Sequence, residues 1–151
     1  MKVVLYQPEI PQNTGNIGRL CVATRTPLIL VRPLGFHLDA KEIRRSGLDY
    51  WDDLDLQIVD RFDDIIQEHP QSRILILSTK GTKSYTEQHY REDDILLFGS
   101  EGSGLPEKLH ERYADQRLSI PMWGPVRSLN LATSVGIVLY EAYRQICSPK
   151  C

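Results

Sequence analysis

A chain of 151 residues with 41% hydrophobic and 25% charged residues has the make-up of one globular domain, which excludes disordered, collagen-like and disulfide-built classes. Its net charge of −2 gives no footprint for a polyanion by itself. The charge is uneven: residues 1–46 carry seven Lys/Arg against three Asp/Glu, residues 47–70 one against eight, and residues 71–151 ten against nine.

A polyanion would have to approach away from Asp49, Asp52, Asp53 and Asp55, on a basic face made by asymmetry or by pairing two subunits. Solvated surface explains the same clusters equally well.

Taken in chain order, an apolar run at 3–6 predicts a first strand, and the N-terminus turns polar too soon for a secretory signal, which points to the cytoplasm. Helical patterning over 14–25 follows Asn13 as a cap. A strand at 28–31, a helix at 40–46 after Asp39, a strand at 56–59 and a helix at 61–68 after Asp60 come next. Strands at 74–77 and 95–98, a helix at 106–112 with Pro106 near its first turn, a strand at 118–120 and a long helix at 129–147 after Ser128 complete the series. This alternation predicts an α/β fold: a mostly parallel sheet flanked by helices, in a single domain spanning 1–151. No apolar run approaches the ~20 residues of a membrane span. Cys21, Cys147 and Cys151 have neither C-x-x-C spacing nor histidine clustering, so they predict reduced thiols and no metal site.

In such sheets ligands bind beyond the carboxyl ends of the strands. Three loops there stand out. The loop after the first strand contains NTGNIGR, residues 13–19, and sets Arg19 on the following helix, where it can grip a phosphate or carboxylate or form a surface salt bridge. FGSEGSGLP, residues 98–106, brings Gly99, Gly102 and Gly104 together, as close backbone approach to a ligand requires and as tight turns also use. IPMWGPVRSLN, residues 120–130, is stiffened by Pro121 and Pro125. It ends on Ser128, a cap or a ligand contact, and on Asn130, an amide in an apolar setting that needs partners.

Several chemistries lack their residues. There is no Gly-Lys-Ser/Thr phosphate loop, no G-x-G-x-x-G after the first strand and no G-x-S-x-G elbow. Cys21 and Arg25 are too close for a phosphatase loop, and His37, His69, His89 and His110 are scattered without a nearby nucleophile.

The three loops, in this order, resemble the motifs of the SpoU branch of the SPOUT RNA methyltransferases. N-x-G-x-x-x-R corresponds to Asn13, Gly15 and Arg19, G-x-E-x-x-G-L to Gly99, Glu101, Gly104 and Leu105, and S-L/M-N to Ser128, Leu129 and Asn130. YQPEIPQNTGNIGRLC, RRSGLDYW, STKGT and VLYEAYRQ extend the resemblance over nearly the whole chain, to the minimal subgroup that methylates the ribose of the tRNA wobble nucleotide; the alternatives are a ribosomal RNA ribose 2′-O-methyltransferase and a non-catalytic RNA-binding protein of the same fold.

That resemblance implies S-adenosylmethionine as cofactor, held by Leu77, Gly99, Ile120, Met122, Ser128 and Leu129, with no metal. It also implies a deep C-terminal trefoil knot and a homodimer packed through the first and last helices, each active site completed by the partner. RNA would then be gripped by the dimer surface, with no membrane involved. Arg19 would meet the attacking 2′-hydroxyl. A guanidinium with a pKa above ~12 is a poor base, so its expected role is to orient the oxygen and stabilise its charge. Asn13, Glu101 and Asn130 would fix the loops and Arg19, and Tyr140 would lie near the substrate. The chain departs from relatives in lacking a basic residue between Glu101 and Gly104 and in its MWGPVRSLN segment, which bears on RNA affinity and base preference.

Overall fold

Each of the long apolar runs is a strand, and within each run alternate residues face two different cores. The computed structural model describes residues 1–39 and 49–147. The helix expected at 40–46 and Cys151 lie outside the described residues. Seven strands, β1 (Lys2–Tyr6), β2 (Leu28–Val31), β3 (Leu56–Val59), β4 (Ile74–Leu77), β5 (Lys83–Ser84), β6 (Ile95–Phe98) and β7 (Arg117–Ser119), form one sheet in the order β3-β2-β1-β6-β4-β7-β5. Every pairing in it is parallel. Parallel strands need covered faces, which is why β2, β4 and β6 are apolar at every position.

The helices supply that cover: α1 (Pro11–Thr24), α2 (Phe62–Glu68), α3 (Glu107–Arg112) and α4 (Leu131–Cys147). Val3, Leu5, Leu28, Leu30, Leu96 and Phe98 meet Ile17 and Cys21 of α1 and Val135, Val138 and Leu139 of α4. On the opposite face Val4, Ile29, Ile74, Ile76, Ile95 and Leu97 meet Phe62 and Ile65 of α2 and Leu109 of α3. The period-2 geometry of a strand divides its side chains in this way. Burial pushes the Cys21 thiol up to about 12, so it stays protonated and unreactive at neutral pH. No described helix is long and apolar enough to cross a membrane.

Four helix starts differ from the sequence reading; that of α3 moves by one residue, to Glu107 with Pro106 just before it. Pro11 opens α1 after Ile10, so Asn13 lies inside the helix rather than at its cap; proline is favoured in the first turn, where its missing N–H costs nothing. Arg61, not Asp60, precedes α2, and no side chain caps it. Helix α4 begins at Leu131, and its cap is Asn130: Oδ1 accepts the Thr133 N–H at 3.2 Å, the third helical position, so Ser128 is released from that role. The short β5, beside β7 with Lys83 opposite Leu118, was missed because two residues carry no periodicity.

Candidate active site

The carboxyl ends of β4, β6 and β7 open into one cavity of about 520 Å³, within the range of pockets for ligands of nucleoside size. Its walls come from residues 77–80, 98–105 and 127–131, with Ile120, Met122, His110 and Ser134, and with Ile10 and Asn13 from the start of α1. Leu77, Gly99, Ile120, Met122, Ser128 and Leu129, read from sequence as cofactor contacts, all line it, as do Asn13, Glu101 and Asn130.

Hydrogen bonds tie the three loops together across about a hundred residues of sequence. Glu101 Oε2 accepts the Glu9 N–H at 2.7 Å, and Oε1 accepts the Ile10 N–H at 3.1 Å and Asn13 Nδ2 at 3.2 Å. Asn13 Oδ1 in turn accepts Asn130 Nδ2 at 3.0 Å. Each amide is used at both ends, the carbonyl accepting while the NH₂ donates, so neither Asn13 nor Asn130 can be rotated or replaced without orphaning a partner. Asn13 is 6% exposed, which makes that satisfaction necessary.

The glycine loop is folded on itself. Ser100 and Gly104 exchange backbone hydrogen bonds at 3.3 and 3.0 Å, and Gly104 has φ +68°, a left-handed conformation that favours glycine. Gly99 lies against that turn: a Cβ there would stand 2.3 Å from Gly104 C and 2.5 Å from Leu105 N. Gly99→Ala is expected to cost about 1–3 kcal/mol of stability, because backbone rather than a flexible side chain blocks the methyl. A urea-denaturation midpoint indistinguishable from the parent would contradict this.

Arg19 and Tyr140 do not line the cavity. Both are exposed, Tyr140 by 55%, on the adjoining helices α1 and α4. Arg19 is six residues beyond Asn13, about 9 Å along a helix axis, and its guanidinium carbon lies 5.1 Å from the centroid of the Tyr50 ring.

Sequence reasoning missed Phe98, Lys80, His110 and Arg127 among the lining residues. Lys80 sits in the quoted STKGT and Arg127 beside Ser128, so adjacency could have flagged both. His110 has no such signal. It is 4% exposed, its Nδ1 is buried without a hydrogen-bond partner, and burial, followed by the nearby Lys80 charge, lowers its pKa from the ordinary value, keeping it neutral at pH 7. Among the described residues no group of three or more His, Cys, Asp or Glu could hold a metal ion.

The donor set suits S-adenosylmethionine. Apolar walls from Leu77, Phe98, Ile120, Met122 and Leu129, with polar groups at Ser128 and Asn130, match an adenosyl ligand with an amino-acid tail.

Comparison with known proteins agrees with this geometry. A tRNA (cytidine(34)-2′-O)-methyltransferase of Methylovorus glucosotrophus is 43% identical over 144 residues, covering 95% of this chain and 94% of that protein. A solved structure described as "Structural insights into the 2-OH methylation of C/U34 on tRNA" superposes with a TM-score of 0.90 at 50% identity, covering 96% of this chain and 95% of the other. The SpoU methyltransferase AviRb of Streptomyces viridochromogenes, in complex with AdoMet, superposes with a TM-score of 0.84 at 26% identity, over 98% of this chain and 58% of that one. The sequence profile described as the SpoU rRNA Methylase family matches residues 1–140. With its ordered loops joined in one cavity and that match over most of its length, the chain belongs to the SpoU rRNA Methylase family.

Proposed function

We propose that the protein methylates the 2′-oxygen of the ribose at the wobble position of tRNA, on cytidine or uridine, with S-adenosylmethionine as methyl donor, in the cytoplasm. The observation that carries this reading is the convergence of Gly99, Ile120 and Ser128 on one cavity locked by the Asn130–Asn13–Glu101 hydrogen bonds. The relatives named above support the position and the nucleotide.

When bound, S-adenosylmethionine supplies an electrophilic methyl on a sulfonium. Leu77, Gly99, Ile120, Met122, Ser128 and Leu129 would hold it, and the protein's task is then alignment of the attacking oxygen, where orientation supplies most of the acceleration. Arg19 donates to that oxygen and stabilises its charge as the proton passes to another acceptor, a separate group or solvent, because a permanently protonated guanidinium cannot itself take it.

Because Arg19 and Tyr140 lie outside the cavity of their own chain, the reading includes a homodimer joined through α1 and α4, in which Arg19 of one copy completes the site of the other. The adjoining placement of these helices and the exposed Tyr140 support it. The position of β7 between β4 and β5 supports a threaded, knotted carboxyl-terminal segment, and the continuous sheet supports one domain over 1–151.

The test is incubation with methyl-labelled S-adenosylmethionine and either bulk tRNA or ribosomal RNA, followed by nucleotide mapping. Label at the ribose of tRNA nucleotide 34 is the expected result. Label confined to ribosomal RNA moves the substrate, and no transfer to any RNA overturns the reading.

A further inference from the structure

We infer that Tyr50 is a positioning residue that holds the guanidinium of Arg19 in place for methyl transfer. Two contacts carry this. The Tyr50 ring lies beneath the Arg19 guanidinium carbon at 5.1 Å from the ring centroid, and the Tyr50 hydroxyl donates to the Gly15 carbonyl at 2.7 Å.

Gly15 stands four residues before Arg19, so its carbonyl is the one that accepts the Arg19 backbone N–H in a regular helix. A carbonyl has two lone pairs and can accept both donors. One phenol therefore grips a single turn of α1 at its backbone and at its charged tip. Arginine on a bare helix surface samples many rotamers, and a cation–π contact with a fixed ring narrows them.

The ring is itself fixed from below. Tyr50 belongs to the 3₁₀ turn Asp49–Asp53, which packs on α1, and Trp51 of that turn lies against Gly18. A Cβ at residue 18 would stand 3.0 Å from Trp51 Cζ3 and 3.3 Å from Leu54 Cδ2, so the absent side chain is what lets the turn approach the helix beside Arg19. Burial raises the Tyr50 phenol pKa and Asp49 adds to the rise, while Arg19, by its charge and a side-chain hydrogen bond, opposes both. The two groups thus sense each other electrostatically as well as sterically.

The inference rests on the reading of Arg19 as the donor to the 2′-oxygen, and the test separates the two. Tyr50→Leu, Tyr50→Phe and Arg19→Ala would be compared for kcat and KM with tRNA, for S-adenosylmethionine affinity by calorimetry, and for thermal midpoint. In parallel, the Tyr50 phenol would be titrated in cofactor-free protein by carbon NMR of labelled tyrosine, its resonance assigned from its loss in Tyr50→Phe. Loss of both contacts is expected to lower kcat about tenfold in Tyr50→Leu, and loss of the hydroxyl alone about threefold in Tyr50→Phe. Cofactor affinity should stay put, the thermal midpoint should fall by no more than the few degrees that one lost backbone hydrogen bond gives, and Arg19→Ala should move the Tyr50 titration upward. Unchanged kcat in Tyr50→Leu beside an inactive Arg19→Ala would overturn the positioning role alone, as would a Tyr50 titration indifferent to Arg19→Ala. A fall in kcat matched by a fall in cofactor affinity, or by a fall in thermal midpoint beyond those few degrees, would reduce Tyr50 to a structural part. Full kcat in Arg19→Ala would overturn the underlying reading and this inference with it.

Discussion

Arg19→Ala is expected to lower kcat by about 10²–10³, the usual effect of deleting one donor to a developing oxyanion, while S-adenosylmethionine binds as before. Binding is expected to be spared because Arg19 is not among the residues that line the cavity of its own chain. A single-turnover assay together with calorimetry reads both halves, and a variant that keeps its kcat removes Arg19 from the chemistry. A site completed by the partner subunit, as proposed, makes a sharper forecast. Subunits carrying Arg19→Ala, mixed equally with subunits whose cavity is disabled, should recover about a quarter of parental activity, since half of the dimers then hold one complete site of two. Were the site built within one chain, every mixed dimer would be dead.

Glu101→Gln should be nearly as damaging for a different reason. The carboxylate accepts three N–H groups, from Glu9, Ile10 and Asn13, and a primary amide would turn its own NH₂ toward at least one of them. Hydrogen bonds to an ionised acceptor contribute about 1.5–3 kcal/mol, so cofactor affinity should fall about tenfold to a hundredfold as the glycine loop loosens from α1. The drop in kcat/KM should be at least as large. Calorimetry measures the first and steady-state kinetics the second; a Gln variant that binds cofactor like its parent would show that the loops hold together without this carboxylate. Asn130→Ala offers a control, because it removes the far end of the same network together with the cap of α4.

Much of this architecture can be read without coordinates because a parallel sheet leaves an unambiguous mark. The runs LILV, ILIL and ILLF are apolar throughout, and no solvent-facing strand or surface helix would be written that way. The three loops were legible because glycine, proline and amide residues are confined to few backbone roles. Helix starts were less so: Asn13 has the chemistry of a cap, but Pro11 had already begun the helix, and its amide was needed for Glu101 and Asn130. Local propensity gave way there to a tertiary partner. His110 and Tyr50 were illegible for a simpler reason. Each matters through a group 30 or more positions away, Tyr50 through Gly15 and His110 through Lys80, and no pattern along the chain encodes such a meeting.

The link from Asn130 through Asn13 to Glu101 sets a condition on synthesis. A nascent chain that has left the ribosome only as far as α3 owns two of the three motifs but not the closing wall, which arrives with residues 120–131, and the amide that locks it is the last residue before α4. Such distant pairings form late and slowly. A shortened translation product ending before residues 120–131 lacks both the closing wall and the amide that locks it, and so cannot complete the pocket for a methyl donor.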